Sequence, residues 1–495
     1  MSEVVVVGAG VGGLAAAARL AAAGHRVTVF ERSPVVGGKL GRYARDTPVG
    51  TFRFDTGPSL LTLPHVFEEL FAATGAPLHD SVDLVALDPI VRHVFPDGSR
   101  LDSCADPVEF AARIGTAFGA GAARDWQALW RRAGRVWDAS WRHVLRSGVD
   151  SPLGVARLAW RLPDLVAIAP GRTLRSLGRS RLRDPRLRML LDRYATYTGS
   201  DPRRAPAALV AIPYAELASG GWYPRGGLGT LADALVARCL ELGVALETGA
   251  DVVGIDAAGG RVQGVRLAGG RRARAGVVVA NADALHVFRD LVPAPRRLGR
   301  LADRSLAGFV LLLGVRGRTP GLAHHTVFFP ADYDAEFDAV FGDPGRGVPA
   351  RPVPDPTVFV TVPDDPAVRP DGHEAWFVLV NAPPHGLAPN AVDWRRPGLA
   401  DAYADRVLDV LAARGVDVRD RLLFREIRTP ADLAGAPGGG IYGTASHGLR
   451  GLLRPANAGP VAGLFLVGGS VHPGGGLPMV ALSARIIADR VGPPP

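Results

Sequence analysis

The N-terminal segment constrains the fold more than any other part of the chain. An apolar run at residues 4–7 leads into Gly8, Gly10 and Gly13 at G-x-G-x-x-G spacing, with Gly12 between them. An Ala- and Leu-rich stretch comes next, then a second apolar run at 27–30 that closes on Glu31. Strand, glycine turn, helix, strand and acid in this order predict a βαβ unit that binds a dinucleotide. Gly8 permits the tight turn, Gly10 lets the backbone approach a pyrophosphate, and Gly13 lets helix and strand lie close. The helix N-terminus then faces phosphate charge. The Glu31 carboxylate can accept hydrogen bonds from both hydroxyls of an adenosine ribose. Glycine is abundant, 62 of 495 residues, so the ordered elements around these glycines carry the reading rather than the glycines themselves.

The residues after Glu31 select the dinucleotide. Arg32 and the Gly37-Gly38-Lys39 turn offer cationic side chains and exposed backbone N–H groups beside the diphosphate. This favours FAD over a nicotinamide. No second G-x-G-x-x-G lies between a strand and a helix, so a single resident dinucleotide is expected.

Net charge of +9 raises the question of nucleic acid. Lys39 is the sole lysine, and the arginines are scattered, without a polybasic tail or a nucleic-acid module. An anionic membrane surface is the better expected partner. Cys104 and Cys239 are the only cysteines, which leaves no disulfide framework and no C-x-x-C metal or redox pair; a reducing, cytoplasmic setting and no metal site are expected. A strand that begins at residue 4 leaves no room for a signal peptide. The longest uncharged apolar stretches, such as 307–315, are too short to span a bilayer. Membrane contact is therefore expected to be peripheral.

Further along, residues 52–59 form an extended segment that ends in Asp55-Thr56-Gly57-Pro58-Ser59, before a helix predicted at 65–73. The Gly-rich turn at 220–227 opens a helix through 242, succeeded by strands at 244–247, 250–255 and 277–281. A last strand at 463–470 runs into Gly468-Gly469-Ser470 and a helix from about 478 to 491. The alternation predicts an α/β nucleotide domain assembled from residues 1–95, 215–285 and 441–495. Residues 96–214 and 286–440 then form an interleaved substrate domain of mixed α+β character.

Residues 124–146 project onto an amphipathic helix. Trp126, Trp130, Trp137 and Trp141 share one side with Val144, while Arg124, Arg131, Arg135, Arg142 and Arg146 lie opposite. The aromatic face either packs as core or lies in a bilayer interface. With the apolar stretch 153–169 beyond it, the region near 124–170 is a candidate membrane-contacting entrance to an apolar tunnel.

Jointly these motifs resemble the phytoene desaturases and related carotenoid desaturases of bacterial and fungal type, within the FAD-dependent amine oxidase superfamily. The resemblance rests on residues 5–13 with Glu31 and Gly37-Gly38-Lys39, on 54–59, on Tyr223-Pro224-Arg225-Gly226-Gly227, on Asn281-Ala282-Asp283, and on 466–478 with its Gly468-Gly469-Ser470-Val471-His472-Pro473 run. Val471, where the family usually has Thr or Ala, and Gly475, which lengthens the glycine run to three, depart from the pattern. The resemblance implies a Rossmann-like FAD-binding domain of the glutathione-reductase/amine-oxidase type. It also implies desaturation of phytoene or a related acyclic carotene, a long apolar polyene, with oxygen or a membrane quinone as electron acceptor. It places Val252 against the adenine, 55–59 near the isoalloxazine, and Gly468, Gly469, Ser470, Met479 and Val480 at the flavin. His472, the ionisable side chain of the C-terminal motif, is a candidate base, with a loop-orienting hydrogen bond as its other reading. Alternatives are a later-acting carotenoid-tailoring desaturase or oxidase, a flavin amine oxidase, and a non-catalytic prenyl-lipid escort protein.

Overall fold

The computed structural model describes residues 2–147, 168–433, 437–448, 451 and 454–494. Five parallel strands form one sheet in the order Leu464–Leu466, Val277–Ala280, Glu3–Val7, Arg26–Glu31 and Ala245–Thr248. Both faces are covered, so the valine runs of Glu3–Val7 and Val277–Ala280 are almost wholly buried and read as continuous apolar stretches. Helices Val11–Ala22, Gly229–Glu241 and Leu477–Val491 pack on one face through Leu14, Leu235 and Leu482. The other face meets the antiparallel sheet Val252–Ala258, Arg261–Leu267 and Arg272–Arg274 through Val5, Val278 and Val265.

A second, seven-stranded sheet is ordered Leu422–Arg428, Ala307–Arg316, His373–Ala382, Val358–Thr361, His325–Phe328, Arg92–Val94 and Arg100–Asp102. The apolar stretch 307–315 is the interior of this sheet, paired on both edges. Phe309, Leu311 and Trp376 face helix Leu399–Ala413. The alternate residues Val310, Leu312 and Phe377 face the hairpin Arg42–Thr47/Gly50–Asp55 through Phe52 and Phe54. Phe359 and Leu379, on the same side, are only half-buried. This side of the sheet overlooks the candidate site.

The tryptophan-bearing segment is an α-helix over Ala120–Ser140 that continues into a π-helical turn, Trp141–Leu145. Its aromatic face packs inward. Trp126 is buried edge-on against Phe110, Trp130 lies on Tyr214, and Trp137 stacks on Trp141. The five arginines of the opposite face are exposed. The stripe is therefore core, because it finds protein partners along its length. Residues 148–167, which hold most of the apolar stretch 153–169 of the candidate membrane-contacting region, lie outside the described residues. Among the described residues, no helix is long and apolar enough to cross a membrane.

Candidate active site

The site grows from the end of the central strand. Gly8 turns the chain at φ +97° and its N–H donates to Phe30 O at 2.7 Å. A Cβ at Gly12 would stand 2.8 Å from the Asn281 side-chain amide, 2.9 Å from Val480 Cγ1 and 3.3 Å from Gly468 Cα. The N-termini of helices Val11–Ala22 and Leu477–Val491 thus converge on the Gly468-Gly469 turn, with no room for a side chain between them. Gly10, the N-cap of the first helix, brings no side chain to cap it. Asn281 fills that role: with its amide oxygen turned inward, it accepts from the Gly10 and Gly13 N–H groups at 3.2 Å each.

Glu31 closes over the same turn. Its Oε2 accepts from Ala9 N at 2.7 Å and its Oε1 from Ser33 N at 2.9 Å, leaving further lone pairs for two ribose hydroxyls. Gly249 N and Ala250 N donate to Ser33 O and Glu31 O, which brings the segment leading to Val252 beside the acid. Val252 is buried at the head of the antiparallel sheet. Arg32 is exposed. Gly37 N donates to Ala9 O at 2.9 Å, so the Gly37-Gly38 turn flanks the glycine fingerprint.

Beyond that turn lies a cluster of cations. The Lys39 ammonium donates to the carbonyls of Gly440 and Ile441. Lys39 is exposed, yet desolvation by the protein around it lowers its proton affinity, Asp283 opposes this, and Arg304 and Arg454 add to it. Arg454 donates to Tyr442 O at 2.5 Å and to Gly469 O at 3.3 Å, and burial pushes its guanidinium down to about 10. Arg304 pairs with Asp283 at 3.0 Å. Asp283 thus acts on all three cations. Positive charge beside two converging helix N-termini fits a diphosphate, and the glycines leave the space that it needs. These residues therefore fit FAD, whose ribose Glu31 could hold and whose diphosphate the cation cluster could face.

The other expected residues take mixed positions. The Asp55 carboxylate accepts from Leu228 N at 2.6 Å and Gly229 N at 2.9 Å, capping helix Gly229–Glu241. Burial raises its proton affinity, and these two N–H groups and Arg42 counter it. Thr56 N donates to Gly41 O, and a Cβ at Gly57 would collide with the Lys39 carbonyl. Pro58 is exposed, and Ser59 Oγ lies 3.0 Å from Thr361 Oγ1. Together with Phe54, Asp55, Tyr223 and Phe377, Ser59 and Thr361 line a cleft of about 330 Å³. Ser470 Oγ accepts from Ala284 N at 3.0 Å, and Met479 and Val480 are half-buried at the helix start. His472 is buried, and its Nε2 lies 3.0 Å from Val144 O and 2.9 Å from Ser147 O. Two carbonyl acceptors make that nitrogen an N–H donor. Asn457 donates to the carbonyls of His472 and Leu466, fixing the motif from its other side.

Asn281 has a visible place in the sequence, directly after a buried strand, but nothing there signals its capping role. Arg304, Arg454 and Tyr442 carry no local signature in an arginine-rich chain. Only the tertiary fold brings them to Asp283 and to the C-terminal motif.

The family described as flavin containing amine oxidoreductase matches residues 11–310. A 4,4'-diapolycopene oxygenase of Methylomonas sp is 33% identical, over 99% of this chain and 98% of its own length. A hydroxyneurosporene desaturase of Rubrivivax gelatinosus is 36% identical, over 99% of this chain and 93% of its own. Among solved structures, an oxidoreductase from Methanosarcina mazei superposes with a TM-score of 0.65 at 17% identity, covering 98% of this chain and 100% of that one, which supports the fold. The chain is an FAD-dependent oxidoreductase and belongs to the flavin containing amine oxidoreductase family, among its carotenoid desaturases and oxygenases.

Proposed function

We propose that the protein is a carotenoid-tailoring desaturase or oxidase acting on acyclic, already conjugated carotenoids. The observation that carries this reading is the end-to-end likeness to a diapolycopene oxygenase and a hydroxyneurosporene desaturase. The later-acting alternative thereby takes precedence over phytoene desaturation. As a desaturation, the reaction removes two hydrogens from adjacent carbons, one as a hydride and one as a proton released to bulk water, and extends the conjugation by one double bond. Bound FAD supplies the hydride acceptor. Glu31, Asn281 and the cluster of Lys39, Arg304 and Arg454 hold and orient it. The side of the seven-stranded sheet bearing Phe359 and Leu379 offers the polyene an apolar wall that excludes water. His472 serves as a positioning residue, since its Nε2–H is committed to the turn after the tryptophan helix. Oxygen or a membrane quinone takes the electrons onward.

We further propose that the exposed face with Arg124, Arg131, Arg135, Arg142 and Arg146 meets an anionic bilayer, from which an apolar substrate is drawn. The test of function is expression in hosts that accumulate phytoene, neurosporene or a hydroxylated carotene. Pigment shifted to longer wavelength only in the last two supports the reading, and conversion of phytoene alone overturns it.

A further inference from the structure

The glycine that lengthens the C-terminal run to three, Gly475, is required by an aromatic ring. A Cβ at Gly475 would collide with the side chain of Tyr442. The opposite edge of that ring faces Gly199, where a Cβ would stand 3.1 Å from Tyr442 Cδ2. Tyr442 is thus wedged between the C-terminal motif and the turn that follows the short helix Tyr194–Thr198. Its main chain is held on both sides, the N–H donating to Ser305 Oγ at 3.0 Å and the carbonyl accepting from Arg454. The phenolic hydroxyl makes no hydrogen bond among the described residues.

The ring stands on the flavin side of the site. Gly475 backs onto Gly469, where a Cβ would lie 3.5 Å from Gly475 Cα, and Gly443, next to Tyr442, lies against Ser470. Arg454 ties the Tyr442 carbonyl to that of Gly469, and Lys39 holds the carbonyls of Gly440 and Ile441 just before it. Burial is the largest influence on the proton affinity of Tyr442, Lys39 and Arg454 alike. Yet Lys39 is exposed, and the other two are only half-buried. Groups removed from bulk water that keep accessible surface line an interior space. A dinucleotide that begins at Glu31 and passes the cations brings its ring system to their far side, where Tyr442 meets the turn at Gly199. An unpaired phenol donor shut away from water is costly. A hydrocarbon chain offers it no acceptor, whereas the isoalloxazine carries carbonyl and ring-nitrogen acceptors along one edge.

We propose that Tyr442, seated on Gly475, is a cofactor-holding residue whose hydroxyl donates to the acceptor edge of the isoalloxazine. This inference rests on the FAD site and stands whichever carotenoid is oxidised. Negative charge builds on that edge when the flavin is reduced, and a hydrogen bond to a charged acceptor is stronger than one to a neutral acceptor. The hydroxyl therefore favours the reduced flavin and raises its potential. Gly475 leaves the room that the ring needs to reach it.

The test measures flavin content and the two-electron reduction potential, by anaerobic equilibration of the flavin-loaded protein with a reference dye and without any carotenoid. Tyr442→Phe keeps the ring and removes only the hydroxyl. It is expected to retain flavin while the equilibrium moves about tenfold toward the oxidised form, a fall of about 30 mV in potential. Loss of flavin from folded Tyr442→Phe would equally mark the hydroxyl as a holding group. Gly475→Ala is expected to displace the ring, with most of the flavin lost from folded protein. Should Gly475→Ala fail to fold, Tyr442→Phe reads the inference on its own. An unchanged potential in flavin-loaded Tyr442→Phe, or full flavin at the wild-type potential in Gly475→Ala, overturns it and leaves the carotenoid reading in place. Wild-type protein that takes up no flavin overturns the FAD site and the inference with it.

Discussion

His472 Nε2 lies 3.0 Å from the carbonyl oxygen of Val144, across 328 residues of sequence. This contact ties the C-terminal motif, which shapes the flavin side of the site, to the π-helical turn that ends the tryptophan helix. A π turn leaves carbonyls outside the regular ladder, and His472 meets two carbonyls in and just beyond this one.

His472→Ala is therefore expected to lower stability by about 1–3 kcal/mol through two stranded carbonyls, with little change in the pH profile of kcat. Thermal melts and a pH–rate series check this. A loss of kcat by about 100-fold or more at unchanged stability would instead mark a catalytic base.

Gly12→Ala places a methyl group against Asn281, Val480 and Gly468. The expected result is folded protein with most of its flavin lost, read from the ratio of flavin to protein absorbance. Full flavin occupancy would show that the two helix N-termini are not the diphosphate site.

Asp55→Asn keeps one acceptor but sets an amide N–H₂ against the backbone N–H of Leu228 or Gly229. A stability loss of about 1–2 kcal/mol with flavin retained is expected. Flavin loss at unchanged stability would assign the carboxylate to the cofactor instead.

Buried histidines give the protein an acid limit. Burial holds His93 and His325 well below 6.5, and pushes His324 down to about 4 against the pull of Asp365 and Asp364. Each takes up its proton in the unfolded chain first, so stability is complete above about 6.5 and is lost as pH falls toward 4. The slope is about 1.4 kcal/mol per pH unit for each histidine. Melting temperatures should fall steeply from pH 6.5 to 5, and less steeply in His93→Phe. A flat profile would contradict the assigned burial.

The exposed arginine face predicts co-sedimentation with anionic liposomes that weakens with salt and is absent for neutral ones. Substituting Arg131, Arg135 and Arg142 by Gln should reduce binding by about 100-fold, at about 1 kcal/mol per charge. Equal binding to neutral lipid would reject an electrostatic contact.

The flavin half of the site is legible in the sequence because its constraints are local. Gly8, Gly10, Gly13 and Glu31 stand at fixed offsets imposed by one turn and one helix, and buried valine runs mark the central strands. Asp55 stands out by its motif, yet its carboxylate is spent on a helix that begins at Gly229, a pairing that spacing does not encode. The tryptophan stripe at 126–141 is periodic, but periodicity reports amphipathicity and not what covers the face; Phe110 and Tyr214 cover it.

Coupling of flavin reduction to polyene oxidation is measured by mixing the oxygen-free, flavin-loaded enzyme with liposomes containing an acyclic conjugated carotenoid. The oxidised flavin band is expected to bleach while the carotenoid spectrum moves to longer wavelength, with one new double bond per flavin reduced. An unbleached flavin and an unchanged carotenoid, in protein shown to carry its full flavin complement, would contradict the assignment as a carotenoid-oxidising flavoenzyme.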